Sequence, residues 1–442
     1  MVSRNGSLHG ARCCCYHQTL AAFPTIPDWV ALEHQVAQIL TDQEIRGWHF
    51  DEAAAWELAS SLGAELHDLG KTLRGLHPFV EGAEFTPKRP NKTQGYITGA
   101  TFTRLKELNP TSRDHIAWIL KTHYNWQPSQ MTATGKPMID EIILKEIGTP
   151  IATMFARCLD ITKKLGMISE GINAWLKLST SASRIHHHCS VATNTHRCAH
   201  RKPNLGQVPS DLEYRRLFTA SPNMVLVGAD LSGIELRMLA HYLARYDGGR
   251  YGDILLNGDI HQVNADKIGI SRREVKTVTY AFLYGAGNEK IGTSYDSSLS
   301  SSRAKSKGKE IREAFVDAID GLGALLDAIK HKAECGHVRL VDGRSIAVES
   351  PHKALNYLLQ GSAGVIAKRW MAINQNTIKS IGIEAHQLAF IHDELQFETT
   401  PINVNSLQTS LVCSAAESGE YYRLRCPIEA EAKTGNTWAD VH

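Results

Sequence analysis

The stretch MVLVGADLSGIELR, Met224 to Arg237, reads as a buried strand over Met224–Val227 that breaks at Gly228 and Ala229 and enters a helix near Ser232. Asp230 then stands at a strand's end. A second stretch, LAFIHDELQFE from Leu388 to Glu398, reads as strand, tight turn, strand, with Leu388–Ile391 and Leu395–Phe397 as arms and His392, Asp393 and Glu394 at the bend. Asp393 would project from a hairpin tip. A carboxylate set this close to an apolar run is costly unless a cation meets it, and two converging carboxylates commonly hold two magnesium ions. Such ions stabilise both the attacking and the leaving oxygen of a phosphoryl displacement. Taken singly, each aspartate fits a helix cap or a turn equally well.

Between the two lies SRREVKTVTYAFLYGAGNEKIG, Ser271 to Gly292, where Arg272, Lys276 and Tyr280 recur every four residues and share one helix face. Two fixed cations in register suit a triphosphate, and a ring one turn further on suits the sugar and base of the same nucleotide. Read alone, the same pattern also describes a solvated basic face with Tyr280 and Tyr284 in the core.

In this order the three segments resemble the DxSxxE, RxxxKxxxYxxxYG and HDE motifs of family A DNA polymerases. The likeness runs from about residue 26 to 442. It takes in TNTHRCAHRKPNLGQVP (Thr193 to Pro209), similar to the family's primer–template segment, and ALNYLLQGSAGVIAKRWM, similar to the helix behind the site. The nearest likeness is to the polymerase domain of replicative enzymes from short-tailed bacteriophages, through EHQVAQIL, NPTSRDHI, SEGINAWLKL, NGDIH, FLYGAGNEKIG and DGRSIAVESPHKALN.

The resemblance implies an α+β right-hand polymerase fold with an antiparallel-sheet palm, helical fingers and a helical thumb. It implies primer-dependent DNA synthesis from deoxynucleoside triphosphates on a primer–template. Asp230, Asp393 and the Leu231 carbonyl would hold two Mg2+ ions, with Mn2+ as a substitute. One ion would activate the primer 3'-hydroxyl and the other would steady the leaving pyrophosphate. Arg272, Lys276 and His261 would contact the triphosphate, Lys276 and Glu394 joining the two aspartates as catalytic residues, and Tyr280 would lie against the sugar. Glu235 would exclude a 2'-hydroxyl, although Ser232 and Glu235 also spell a capping box. His392 and Glu394 would flank the metals, Arg197 and Gln360 would touch the duplex with His392, and Tyr284 would support the nucleotide helix. Tyr280 also implies tolerance of dideoxynucleotides.

Two positions depart from the family pattern: His196 stands where a glycine precedes the motif arginine, and Ala281 replaces a glycine in the nucleotide helix. Neither is a carboxylate or phosphate ligand, so altered packing beside intact chemistry is expected, and alanine is the better helix former.

At 442 residues the chain has room for two or three domains. Its net charge of +2 is small for a nucleic-acid binder, so DNA affinity must come from local clusters. Candidates are Arg184, Arg197, Arg201 and Lys202; Arg303, Lys305, Lys307, Lys309 and Arg312; and Lys88, Arg89 and Lys92. The Ser-rich run Ser297 to Ser306 reads as a loop. Nine cysteines without paired spacing, three of them consecutive at Cys13–Cys15, fit neither zinc nor a disulfide framework and point to a reducing, cytoplasmic setting, the host's if the chain is viral. No apolar run reaches the ~20 residues of a membrane span, and residues 1–25 read as an unplaced leader. The three consecutive histidines His186–His188 cannot easily face one ion together, which favours a loop or a primer contact over a metal site.

The expected organisation is thumb over 26–183, palm over 184–245 and 346–442, and fingers over 246–345. No exonuclease segment is expected in this chain, which makes a separate exonuclease and a helicase–primase candidate partners. The short interval between Gly75 and Thr101 argues against thioredoxin dependence. Three rivals stand beside this reading, of which a metal-dependent nuclease would leave the Arg272, Lys276, Tyr280 helix without a purpose. A single-subunit phage-type RNA polymerase is opposed by Glu235, Tyr280 and the HDE triplet. A non-catalytic nucleic-acid-binding subunit is opposed by the chemically intact ligand positions.

Overall fold

The computed structural model describes residues 26–191, 193–296 and 299–442; the leader and Cys13–Cys15 lie outside them. By their contacts these residues form two compact units. One comprises residues 50–185 and the other residues 26–49 together with 186–442.

The larger unit is built on a four-stranded antiparallel sheet ordered Ala385–Ile391, Glu394–Thr399, Val225–Leu231, Ala430–Gly435. The central strand does not break at Gly228 as its sequence suggested. It runs on through Leu231, with Gly228 opposite Gln396 on one side and Lys433 on the other. Glycine is needed there for space: a β-carbon would meet the Gln396 side-chain amide at 2.5 Å and the Val441 carbonyl at 2.7 Å.

Behind the sheet lies the long helix Ala354–Ile381, buried along most of its length, with Trp370 Nε1 donating to the Leu411 carbonyl of the helix Val404–Tyr421 at 2.7 Å. The helix Asp28–Arg46 also packs here. Its buried stripe of Leu32, Val36, Ile39 and Leu40 joins the larger unit's core. Its Glu33 accepts from Lys368 Nζ at 2.8 Å and from Arg344 Nη1 at 2.5 Å, both of those side chains being almost fully buried. Residues 26–49 therefore part from the 26–183 segment expected to act as one region.

Six helices fill residues 250–333: Arg250–Asn257, Ile260–Ile268, Arg272–Leu283, Asn288–Tyr295, Ser301–Ala318 and Leu322–Ala333. The Ser-rich run is helical from Ser301, which corrects the loop reading; Ser297 and Ser298 lie outside the described residues. Its buried positions Ala304, Gly308, Ile311 and Phe315 recur at spacings of four, three and four. That apolar stripe, with Lys307–Glu310 paired at 2.7 Å, outweighs the weak helix preference of serine.

The smaller unit packs the helices Glu52–Leu76, Arg113–Tyr124, Glu141–Ile147 and Pro150–Leu165 around Leu73, Ile116, Leu120, Leu144 and Phe155. Asp51, Ser112, Asp140 and Thr149 cap their starts with side-chain oxygens. An antiparallel hairpin, Phe79–Phe85 with Phe102–Glu107, extends this unit. Among the described residues no helix is long and apolar enough to cross a membrane.

Candidate active site

Asp230 and Asp393 are brought together by strand register. Asp230 sits opposite Glu394 in the sheet, and the amide of Leu231 donates to the carbonyl of Asp393 at 3.2 Å. Asp393 occupies the two-residue turn after His392, whose φ of 59° lies in the left-handed region. The crowding protein, then the neighbouring Asp393 and Glu394 carboxylates, push the Asp230 carboxyl up to about 7, even though the residue keeps contact with solvent. Burial, then Glu235, pushes Asp393 up to about 6, with Arg197 and His392 pulling it down. Adjacent acids raised this way are under-compensated by the cations around them. Two carboxylates followed by the Leu231 carbonyl form an all-oxygen set, which fits a hard divalent ion.

The turn after the strand Val225–Leu231 is fixed by a residue that no sequence motif marks. Arg237, almost fully buried, donates from Nε to the Ser232 carbonyl and from Nη1 to the Pro427 carbonyl, both at 2.6 Å, and pairs with Glu429 at 2.6 Å. The Ser232–Glu235 capping box does not form: the helix Ile234–Asp247 starts at Gly233 with a φ of 57° and no side-chain cap. Glu235 instead accepts from Arg197 Nη2 at 2.6 Å and from the Tyr284 hydroxyl at 3.3 Å. A capping box forms elsewhere, at Ser271 and Glu274, starting the helix Arg272–Leu283. The S-x-x-E signal for it stood in the sequence one residue ahead of Arg272.

Along that helix Arg272, Lys276 and Tyr280 share a face, as their spacing required. Lys276 is exposed and forms no ion pair among the described residues. Arg272 Nε is held by Asp259 Oδ2 at 2.6 Å, and the other oxygen of Asp259 caps the preceding helix, Ile260–Ile268, by accepting from the amides of His261 at 3.1 Å and Gln262 at 3.0 Å. Asp259 thus ties Arg272 to the helix carrying His261, a link announced only by a generic helix-start signal in NGDIH. The His261 ring is buried, its Nδ1 has no partner among the described residues, and burial followed by the Arg272 charge lowers its pKa. It lies 6.2 Å from the Tyr280 ring, which in turn stacks on Tyr284 at 6.5 Å. His261, Tyr280, Tyr284, Glu235 and Arg197 form one continuous line of contacts, and burial, then Glu235 and lastly Asp393, raise both tyrosine pKa values.

Glu394 is buried, and its carboxylate is taken up by other partners. Its Oε1 accepts from Trp438 Nε1 at 2.8 Å and from Gln396, and its Oε2 from His442 Nδ1 at 2.7 Å. Trp438 and His442 lie more than forty positions downstream and carry no local signal. His392 is exposed beside Gly206 of the 193–209 segment, its Cε1 3.5 Å from where a β-carbon would stand there. Gln360 is half-buried one helical turn before Gly364, and Gly364 abuts Arg197 and the His196 carbonyl. His196 itself has a φ of 58°, a conformation glycine adopts freely. The histidines of 186–188 diverge: His186 and His188 bond to Glu44, and His187 to Gln43.

The model of the family described as DNA polymerase family A matches residues 88–440. The chain is 30% identical to the DNA-directed DNA polymerase of Enterobacteria phage T3, over 93% of its own length and 70% of that protein, and equally to the DNA-directed DNA polymerase of Escherichia phage T7. A solved structure of the POL domain of Pol1 from M. smegmatis, in complex with DNA primer-template and dNTP, superposes with a TM-score of 0.75 at 22% identity, covering 92% of this chain and 70% of that one. It shares the α+β polymerase fold. With a family match over most of its length, this chain belongs to DNA polymerase family A and carries out DNA-directed DNA synthesis.

Proposed function

We propose that the synthesis is primer-dependent, uses deoxynucleoside triphosphates, and belongs to phage-type replication, with the two aspartates as its metal-binding centre. The single observation that carries the reading is the under-compensated pair Asp230 and Asp393, raised to about 7 and about 6, within electrostatic reach of the helix that presents Arg272, Lys276 and Tyr280. Asp230, Asp393 and the Leu231 carbonyl would hold two Mg2+ ions. When bound, these supply Lewis-acid stabilisation to the attacking and leaving oxygens.

The protein's own groups supply position and charge. Lys276, free of intramolecular pairing among the described residues, Arg272, anchored by Asp259, and His261, with its unpartnered Nδ1, present three donors to a triphosphate. Tyr280 would offer its face to the sugar, and Glu235, pinned by Arg197 and Tyr284, would exclude a 2'-hydroxyl. His392, Gln360 and Arg197, gathered around the 193–209 segment, would line the primer–template. Residues 50–183 would serve as thumb, 246–345 as fingers, and 184–245 with 346–442 as palm, joined by the 28–46 helix. These residues are read as polymerising without proofreading.

Extension of a labelled primer with magnesium tests this. Deoxynucleotides should extend it, ribonucleotides should not, and Asp393→Ala should abolish extension while primer–template binding persists. A near-normal rate in that variant refutes the metal assignment. A 3'-mismatched primer incubated without nucleotides should stay intact.

A further inference from the structure

The hairpin of the smaller unit carries a surface that the synthesis chemistry does not use. Between Phe85 and Lys106 the chain has five cations, Lys88, Arg89, Lys92, Arg104 and Lys106, and no acidic residue. All five are exposed, and none forms an ion pair among the described residues.

This segment is built rather than loose. Asn91 and Tyr96 exchange backbone hydrogen bonds at 3.0 and 2.8 Å, Asn91 Oδ1 accepts from the amides of Thr93 and Gln94, and the Gly99 amide donates to the Pro87 carbonyl at 3.0 Å. Three rings gather beside it: Phe85, Tyr96 and Phe102 lie 5.1 to 5.6 Å apart between centroids. They stand apart from the smaller unit's buried core. The guanidinium of Arg104 lies 4.9 Å over Phe85 and donates to the Tyr96 hydroxyl at 2.9 Å, locking the two rings. Phe85 remains 37% exposed.

Rings and cations converge on one open cleft of about 550 Å3, lined by Phe85, Lys88, Arg89, Lys92 and Tyr96 among others. A ring cluster that served only to brace a two-stranded hairpin would not need three unpaired cations around its open side. A polyanion with flat, accessible faces matches both features. Single-stranded nucleic acid has them, whereas duplex offers phosphates but keeps its base faces stacked away.

We infer that the cleft of the 79–107 hairpin is a binding site for single-stranded DNA, with Lys88, Arg89 and Lys92 on phosphates and the faces of Tyr96 and Phe85 stacking on bases. DNA-directed synthesis provides such a strand as unpaired template, but the site does not depend on the assignment of the two aspartates.

The test is fluorescence anisotropy of the full chain, in magnesium-free buffer, with labelled oligo(dT) of about 20 nucleotides and with blunt duplex of equal length. The triple variant Lys88→Ala, Arg89→Ala, Lys92→Ala should bind oligo(dT) at least fivefold more weakly. Its log–log salt slope should fall by about 2, three phosphate contacts at about 0.7 each. Tyr96→Leu, which keeps an apolar side chain in the cluster and removes the flat face, should weaken oligo(dT) binding about threefold with the slope unchanged. Duplex affinity should stay within twofold in both. Equal losses on duplex and single strand would overturn the inference in favour of a plain phosphate grip. Unchanged oligo(dT) binding by the triple variant, whose side chains are exposed and expendable to folding, would overturn it in favour of a solvated tip.

Discussion

Arg197 donates from Nη2 to Glu235 Oε1 at 2.6 Å, and the Tyr284 hydroxyl reaches the same oxygen at 3.3 Å. The carboxylate is therefore fixed from two sides, one in the 193–209 segment and one at the end of the Arg272–Leu283 helix. Fixing matters to the proposed exclusion of a 2'-hydroxyl, because a steric barrier to one extra oxygen works only if it cannot swing aside. Glu235→Ala should raise ribonucleotide incorporation relative to deoxynucleotide by about 10- to 100-fold in kcat/KM, the range over which a pocket discriminates a single small group. Tyr284→Phe, which removes one of the two hydrogen bonds, should give a smaller relaxation. Single-nucleotide kinetics with matched rNTP and dNTP measure both.

Asp259 uses one carboxylate oxygen to hold Arg272 and the other to cap the helix bearing His261. Both tethered groups are expected phosphate ligands, so a single substitution should loosen two contacts at once. Asp259→Ala should raise KM for nucleotide about tenfold and lower kcat less, because it removes positioning rather than a group acting on the reacting atoms. Asp259→Asn keeps a capping oxygen and should recover part of that loss. An unchanged KM in the alanine variant would mean that Arg272 and His261 find their places without it.

Asp230 and Asp393 sit above their free value of 3.8, at about 7 and about 6. Between about pH 4 and 7 these two carboxyls hold protons in the folded chain that they release in the unfolded one, so their own contribution to metal-free stability falls as pH rises through this window. Divalent ions compete with those protons. The magnesium concentration for half-maximal extension should increase as pH drops from 8 to 6. In metal-free buffer at pH 8, Asp230→Asn should melt higher than the wild type while being inactive. Magnesium should raise the melting temperature of the wild type and leave that of the variant nearly unmoved. Thermal melts with and without magnesium, at pH 6 and 8, separate these outcomes.

What could be read in advance followed short-range pattern. Apolar runs ending in Asp230 and Asp393 and a four-residue repeat of Arg272, Lys276 and Tyr280 gave the strands and the helix, because strand and helix periods are local properties. Gly228 was read as a strand break because its local signal is a weak one; the space it leaves for Gln396 is visible only across the sheet. The partners of Glu394, Trp438 and His442, are remote in the chain. Glu33 is a similar case: nothing near it in sequence shows that Lys368 and Arg344 will converge on it, and so the 28–46 helix was grouped with residues 50–183 when its buried ion pairs belong to the other unit. The misplaced capping box at Ser232 has the same origin, since the pull of Arg197 on Glu235 acts from 38 residues away.

His196 is held at a φ of 58° in a position where the family pattern carries glycine, with its carbonyl against Gly364 of the long helix. A left-handed conformation costs a side-chain-bearing residue roughly 1–2 kcal/mol, and a glycine there returns part of that gain through its greater freedom in the unfolded chain. His196→Gly should therefore stabilise the protein by about 0.5 kcal/mol, seen as a higher urea midpoint with an unchanged slope. The imidazole is half-buried, and burial, followed by Arg344 and Lys368, lowers its pKa. It thus enters no charge pairing that the glycine would forfeit at neutral pH. A lower midpoint would show instead that packing of the ring outweighs the backbone cost, which would make His196 a structural part of the segment that carries Arg197.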